Sequence, residues 1–238
     1  MEIQIAVAKT NKYASSESGD TLEVIERPNG GLSVVLADGQ TSGRGAKAVS
    51  GMVVRKVISL LAEGVRDGAA ARAASDYLFT EKNGKVSATL NIFSIDFLTK
   101  TLVITRNNSS PVFISMTDKM DCLSGTSQAI GTSRNIRPSI TEIPITIGLT
   151  AVMFTDGLMT AGERKGRQMD ICTALDALLE EQSPGSQTIA DALLAQALRL
   201  DDGRPMDDVS VVVLRVINQN TDEVRRMLVR LPVPSHYE

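Results

Sequence analysis

Four short acidic motifs recur along the chain, each at the end of an apolar strand: Ser18-Gly19-Asp20, Ala37-Asp38-Gly39, Thr155-Asp156-Gly157 and Asp207-Asp208. The second follows Leu32-Ser-Val-Val-Leu-Ala, the third follows Thr150-Ala-Val-Met-Phe-Thr, and the fourth precedes Val209-Ser-Val-Val-Val-Leu. A carboxylate at the mouth of a buried strand is held rigidly, and a following glycine lets the backbone turn sharply and present its carbonyl. Asp-Gly, present in two of the four, is also a common turn dipeptide, but four acidic motifs at strand ends call for more than turn chemistry. Aspartates gathered from distant parts of a chain, with no His or Cys among them, suit hard cations that take oxygen ligands, such as Mg²⁺ or Mn²⁺.

Two such ions held about 3.5–4 Å apart can share one carboxylate and a bridging water, lowering the pKa of that water toward neutrality. Attack on a phosphoryl group is a fitting use, because the ions neutralise the phosphate oxygens while the water lines up opposite the leaving alkoxide. No side-chain nucleophile is then required, and none can be assembled as a Ser/His/Asp or Cys/His set. The sole histidine, His236, reads as an ordinary tail residue. Cys122 and Cys172 have no CxxC spacing and read as two buried small apolar residues in a reducing cytosol.

The elements that must position these aspartates can be read from periodicity. Residues 2–9 form a strand, and Asp20–Arg27 forms a hairpin with Leu32–Ala37 through the Pro28-Asn-Gly-Gly turn. Gly43–Glu63 places Ala46, Val49, Val53, Val57, Leu60 and Leu61 at helical steps, and Ala69–Phe79 gives a second helix. Strands are expected over Val86–Phe97, Thr101–Arg106, Pro111–Ser115, Ser139–Ile145 and Thr150–Thr155. Amphipathic helices follow over Asp170–Glu181 and Gln187–Leu200, and strands over Asp208–Val216 and Val224–Leu231 close the chain, with a frayed tail over 232–238. Hairpin-linked strands with segregated helix pairs indicate an α+β layer fold: two antiparallel sheets flanked by helices. No composition break divides the chain, so 1–238 reads as a single domain.

Composition narrows the function. Hydrophobic residues make up 42% and charged residues 22% of the 238 residues, ordinary for a globular protein. The net charge is −3, the Lys and Arg residues are scattered and only 3% of residues are aromatic, which argues against nucleic-acid binding. No apolar run approaches the roughly 20 residues needed to span a bilayer, and no signal segment opens the chain, so no membrane role and a cytoplasmic location are expected. Arg44 and Lys47 read as surface residues, and Asp201-Asp202 as a solvated acidic pair.

The motifs Ser-Gly-Asp20, Val-Val-Leu-Ala-Asp38-Gly39 with Gly43-x-Gly45-Ala46, Phe-Thr-Asp156-Gly157-Leu158 and Asp207-Asp208-Val-Ser-Val-Val-Val-Leu, in this order, resemble the metal-dependent protein Ser/Thr phosphatases (protein phosphatase 2C). The chain looks most like the small bacterial branch that acts on stress-response and sporulation regulators, and the resemblance covers nearly the whole chain. It implies a four-layer α-β-β-α sandwich, two bound Mn²⁺ or Mg²⁺ ions, and hydrolysis of phosphoserine or phosphothreonine on phosphorylated regulatory partner proteins by metal-activated water. It implies that Asp38 bridges two ions and Gly39 contributes a carbonyl. Asp156 and Asp207 would hold one ion, while Asp20 would organise water around the other. Many members carry Asn after the last ligand aspartate, where this chain has Asp208, so Asp207 ranks above Asp208 as the direct ligand. Larger members also carry a basic residue that grips the substrate phosphate and a His that protonates the leaving group. Here only Lys9 and Lys12 precede Asp20, with Lys12 the candidate phosphate contact, and modest turnover is expected. The competing readings are a non-catalytic phosphoprotein-binding module on the same fold and a hydrolase of small phosphate esters.

Overall fold

A computed structural model describes residues 1–40, 42–116, 119–125, 127–180, 184–219 and 222–232. Ten strands build two five-stranded antiparallel sheets. One has the order β1 (Glu2–Thr10), β10 (Val209–Ile217), β9 (Thr150–Phe154), β6 (Val112–Met116), β7 (Lys119–Leu123). The other has the order β2 (Asp20–Glu26), β3 (Leu32–Gly39), β4 (Ala88–Asp96), β5 (Thr101–Asn107), β8 (Ser139–Pro144). Helices α1 (Gly43–Ala62) and α2 (Asp67–Lys82) cover the outer face of the β3-containing sheet. Across the molecule, α4 (Ile171–Glu180) and α5 (Ser186–Leu200) cover the β10-containing sheet, with the short α3 (Asp156–Met159) at one end. The result is the expected α-β-β-α stack.

Strand alternation assigns each side chain to a layer. Val34 and Leu36 of β3, Met153 of β9, and Val212 and Leu214 of β10 meet between the sheets. Their neighbours Val35 and Ala37 face α1 and α2, whereas Val211 and Val213 face α4 and α5. The near-continuous apolar runs of β3, β9 and β10 follow from this, since each strand is buried on both faces. The β2–β3 turn is closed by Arg27 N–H donating to Gly31 O at 2.8 Å and Gly30 N–H donating to Arg27 O at 2.9 Å. Gly30 sits at φ +84°, a conformation that favours glycine.

Several expectations need correction. The segment Val224–Leu231 is not a strand: among the described residues it has no ladder partner, because β10 is already flanked by β1 and β9. Strand β7 and helix α3 went unpredicted; β7 has a mixed, half-exposed sequence without clear alternation. Cys122 lies exposed on β7 at a sheet edge rather than buried, and both cysteines are free. Asp201 is buried rather than solvated, accepting bonds from the N–H groups of Gly162 at 2.8 Å and Met206 at 3.1 Å. His236 lies outside the described residues. No helix among those described is long and apolar enough to cross a membrane.

Candidate functional site

The apolar layer between the sheets ends in a polar cap. Two residues beyond Leu22, Leu36, Val7, Met153 and Val212 along the same strand faces stand Asp20, Asp38, Lys9, Thr155 and Ser210. Asp20 and Asp38 are directly opposite one another in the β2–β3 ladder. Asp156 opens α3 just past the end of β9, and Asp207-Asp208 leads into β10, which pairs with β9.

The glycines beside these aspartates act through close approach. Neither Gly39 nor Gly157 has a positive φ, so the reason for glycine there is not the left-handed region. A Cβ on Gly39 would lie 2.1 Å from the Ala46 carbonyl oxygen of α1, and one on Gly157 would lie 2.2 Å from the Asp208 carbonyl oxygen. Any side chain there would push α1 off β3 or α3 off the start of β10. Gly39 therefore packs α1 directly against the strand end that carries Asp38, and Gly157 packs α3, which carries Asp156, directly against Asp207-Asp208.

Asp20 is fully buried. Its Oδ2 accepts bonds from Thr155 Oγ1 at 3.0 Å and Ser210 Oγ at 2.5 Å, while its Oδ1 has no partner. Its main-chain oxygen accepts two ammonium groups, Lys9 Nζ at 2.7 Å and Lys47 Nζ at 2.8 Å. Burial pushes the Asp20 carboxyl above its ordinary value, against the opposing hydrogen bond from Ser210 and the charge of Lys9. Asp38 is pushed up to about 9, first by desolvation and then by the negative charges of Asp20, Asp156 and Asp207. Asp156 is also raised, by desolvation and by Asp207. Desolvation and the neighbouring Lys47 lower Lys9. Asp38, Asp156, Asp207, Gly39 and Lys12 line one cleft of about 470 Å³.

Asp208 has a different job. Its Oδ1 accepts the Lys12 N–H at 2.9 Å and its Oδ2 accepts the Gly19 N–H at 2.7 Å, so it ties the loop before β2 to the start of β10. The side chain is buried and absent from the cleft lining, whereas Asp207 lines it. Lys47 is not a free surface residue: it reaches Asp20 from α1, and one turn on the buried Ser50 Oγ donates to Gly19 O at 2.5 Å. Arg44 stays exposed. Thr155, Ser210 and Ser50 were not anticipated. The first two had a signal in the sequence, the extension of the inward-facing register by one step, whereas Ser50 and Lys47 depend on where α1 docks.

Chemically the cleft offers only oxygen donors and an excess of negative charge. An unpartnered buried Asp20 oxygen and an Asp38 that holds its proton to about pH 9 both show a site short of positive charge. This donor set suits hard divalent cations. Among the described residues no three His, Cys, Asp or Glu side chains converge as a ready-made ligand group, so carbonyl and water oxygens would have to complete any coordination shell.

The profile of the stage II sporulation protein E (SpoIIE) family matches residues 28–217. Stage II sporulation protein E of Priestia megaterium is 22% identical over 215 residues, covering 90% of this chain and 36% of that protein. The chain thus spans about a third of that relative's length. The solved PP2C phosphatase domain with a fragment of the regulatory domain of the cell-fate determinant SpoIIE from Bacillus subtilis superposes with a TM-score of 0.79 at 20% identity, covering 92% of this chain and 64% of that one. The catalytic domain of the serine/threonine phosphatase PstP in complex with two manganese ions gives a TM-score of 0.69 at 18% identity, covering 91% and 99%. At these identities the structural likeness establishes the PP2C-like fold.

Proposed function

We propose that this chain, which belongs to the stage II sporulation protein E family, is a protein serine/threonine phosphatase dependent on two divalent cations, Mn²⁺ or Mg²⁺. Its substrates would be phosphorylated regulatory proteins of a sporulation or stress pathway in the cytoplasm. The observation that carries the reading is that Asp20 and Asp38 stand opposite one another at the end of the inter-sheet core, where Asp38 shares one cleft with Asp156 and Asp207. Such crowding costs the metal-free protein energy that bound cations would return.

Asp38, the Gly39 carbonyl, Asp156 and Asp207 are the groups that would hold the cations, with Asp20 fixed behind them by Thr155 and Ser210. When bound, the cations would supply an activated water and neutralise the phosphate oxygens. The chain's own residues do the rest. Lys12, at the cleft wall, places a positive charge for the incoming phosphate, and Asp208 fixes the backbone that carries it. Among the described residues no His lines the cleft to protonate the leaving serine or threonine oxygen, which fits a modest turnover.

The test is hydrolysis of an aryl phosphate with and without Mn²⁺, followed by a panel of phosphoproteins from the source genome. Metal-dependent release of phosphate, with a preference for phosphoserine or phosphothreonine proteins, is expected. Undiminished activity after chelation would end the reading. Binding of phosphoproteins without turnover would make the chain a recognition module, and a preference for small esters over every protein would make it a small-molecule hydrolase.

A further inference from the structure

The segment Val224–Leu231 has the sequence of a strand and no strand to pair with. Met227, Leu228, Val229 and Leu231 stand 71–81% exposed, an apolar density unusual for a segment with no covering layer. Arg225 ties it to the β2–β3 hairpin, Nη1 pairing with Glu26 Oε1 at 2.5 Å and Nη2 donating to Gly30 O at 3.0 Å at the end of β2, while Arg226 pairs with Asp222 just upstream. Among the described residues β2 is itself a free edge with β3 as its one neighbour, exposing Glu23, Val24 and Glu26. An unpaired edge presents a row of open backbone donors and acceptors, a template for another strand.

We propose that Val224–Leu231 adds as a strand to the β2 edge of a second copy of this chain, with the exchange made reciprocally about a two-fold axis. The Arg225–Glu26 contact supplies a register. Antiparallel pairing with 225 opposite 26 sets Met227 opposite Val24, Val229 opposite Leu22 and Leu231 opposite Asp20, so the three apolar side chains extend the inward face of β2. The opposite face sets Leu228 opposite Glu23 and Arg230 diagonal to it, within reach for cross-strand attraction, while Arg226, on the other diagonal, already pairs with Asp222. The lengths match, eight residues against the seven of β2, and Pro232, which has no N–H, stops the ladder. The other sheet edges do not match as well. On β1 and β8 the only acids are Glu2 and Glu142, and on β7 Asp121 is already paired with Lys119. Within one chain the segment stays off its own β2 beyond Arg225, leaving edge and strand both open. A second copy closes both at once, and an isologous pair is the usual result.

Sedimentation velocity over a concentration series, with hydrogen exchange of the β2 amides, tests this. A dimer is expected in which β2 gains protection as it forms. Met227→Asp with Val229→Asp should raise the half-dissociation concentration by about 100-fold or more. Both side chains are exposed, so the variant keeps its fold, which circular dichroism checks. Glu26→Arg should weaken the dimer, and adding Arg225→Glu to the same chain should restore it. A single chain at every concentration overturns the proposal, including one whose β2 is protected by its own segment. So does a dimer indifferent to all of these substitutions.

Discussion

Asp38 and Asp67 lie at opposite ends of the same sheet, one near the end of β3, the other in the first turn of α2 where that helix packs over the far end. Burial raises both. Their neighbours differ in sign. Asp67 pairs with Arg27 at 3.0 Å, both side chains about nine-tenths buried, and Arg27 also donates to the Val65 carbonyl at 3.0 Å. Asp38 lies opposite Asp20 in the β2–β3 ladder and shares its cleft with Asp156 and Asp207, and Lys9 and Lys47 grip the main-chain oxygen of Asp20 instead of any carboxylate. Burial alone therefore does not mark a functional carboxylate. The mark is a buried carboxylate whose surroundings withhold the counter-charge, because something from outside must supply it.

Replacing the charge at Asp38 should produce the largest effect. Asp38→Asn should lose far more activity than the roughly 10–100-fold typical of groups outside the coordination shell, and Asp207→Asn should approach it, with Mn²⁺ binding by calorimetry falling in parallel. The metal-free protein should respond the other way. An acid whose folded value, about 9, lies above its ordinary value costs stability as pH rises from about 4 toward 9. Metal-free Asp38→Asn should therefore melt higher than the parent at pH 8, and the gap should shrink toward pH 5. A gap that does not vary with pH would mean that the neighbouring carboxylates do not act on Asp38 as described.

At Asp67 the opposite outcome is expected. Arg27→Met leaves Asp67 buried without its partner, a loss of about 3–5 kcal/mol for a broken buried pair, readable in urea unfolding. Activity per folded molecule should hold, since the pair lies at the other end of the sheet from the cleft. A fall in activity without a fall in stability would erase the distinction between the two aspartates.

Much of this was legible in the sequence. The runs at Leu32–Ala37, Thr150–Thr155 and Val209–Leu214 are apolar on both faces, so they announced central strands, and the aspartates at their ends followed. That Asp207 and Asp208 face different ways was also readable, because adjacent residues entering a strand point to opposite sides, whereas the rank of Asp207 as ligand came from the resemblance alone. The close approach at Gly39 and Gly157 was not, since it depends on how near α1 and α3 come. Lys47 was hidden for the same reason: a helix surface residue becomes a site residue only once the helix is docked. Val224–Leu231 misled because its pattern is genuine strand pattern, and pattern cannot show whether a neighbouring edge is free within the same chain.

Asp208→Asn tests the division of labour within the cluster. The amide keeps one acceptor oxygen, so one of the two N–H groups, Lys12 or Gly19, loses its partner. A loss of roughly 10-fold is expected, the low end for a supporting residue, with the dependence on substrate concentration changed through Lys12 more than the dependence on Mn²⁺. If Asp208→Asn is inactive while Asp207→Asn turns over, the two have exchanged places as ligand.

The smallest effect should come from Lys47, and it bears most directly on the comparison. Arg27 neutralises the Asp67 carboxylate, whereas Lys9 and Lys47 hold Asp20 by its carbonyl and so fix the residue without quenching its Oδ1. Lys47→Met removes one of two donors to that oxygen, and Lys9 still satisfies it, so the loss should be about 3–10-fold in kcat/KM, near the worth of one ordinary hydrogen bond and below that of an unreplaced one from a charged group. Its signature should be a higher Mn²⁺ concentration for half-maximal activity at an unchanged substrate KM, because what shifts is the placement of Asp20 and not the phosphate contact. Removing both lysines should cost more than the two single losses combined, since the last donor to a buried carbonyl then goes. If Lys47→Met instead raises the substrate KM and leaves the Mn²⁺ dependence alone, Lys47 is a phosphate contact, and the site has the counter-charge that the comparison with Asp67 says it withholds.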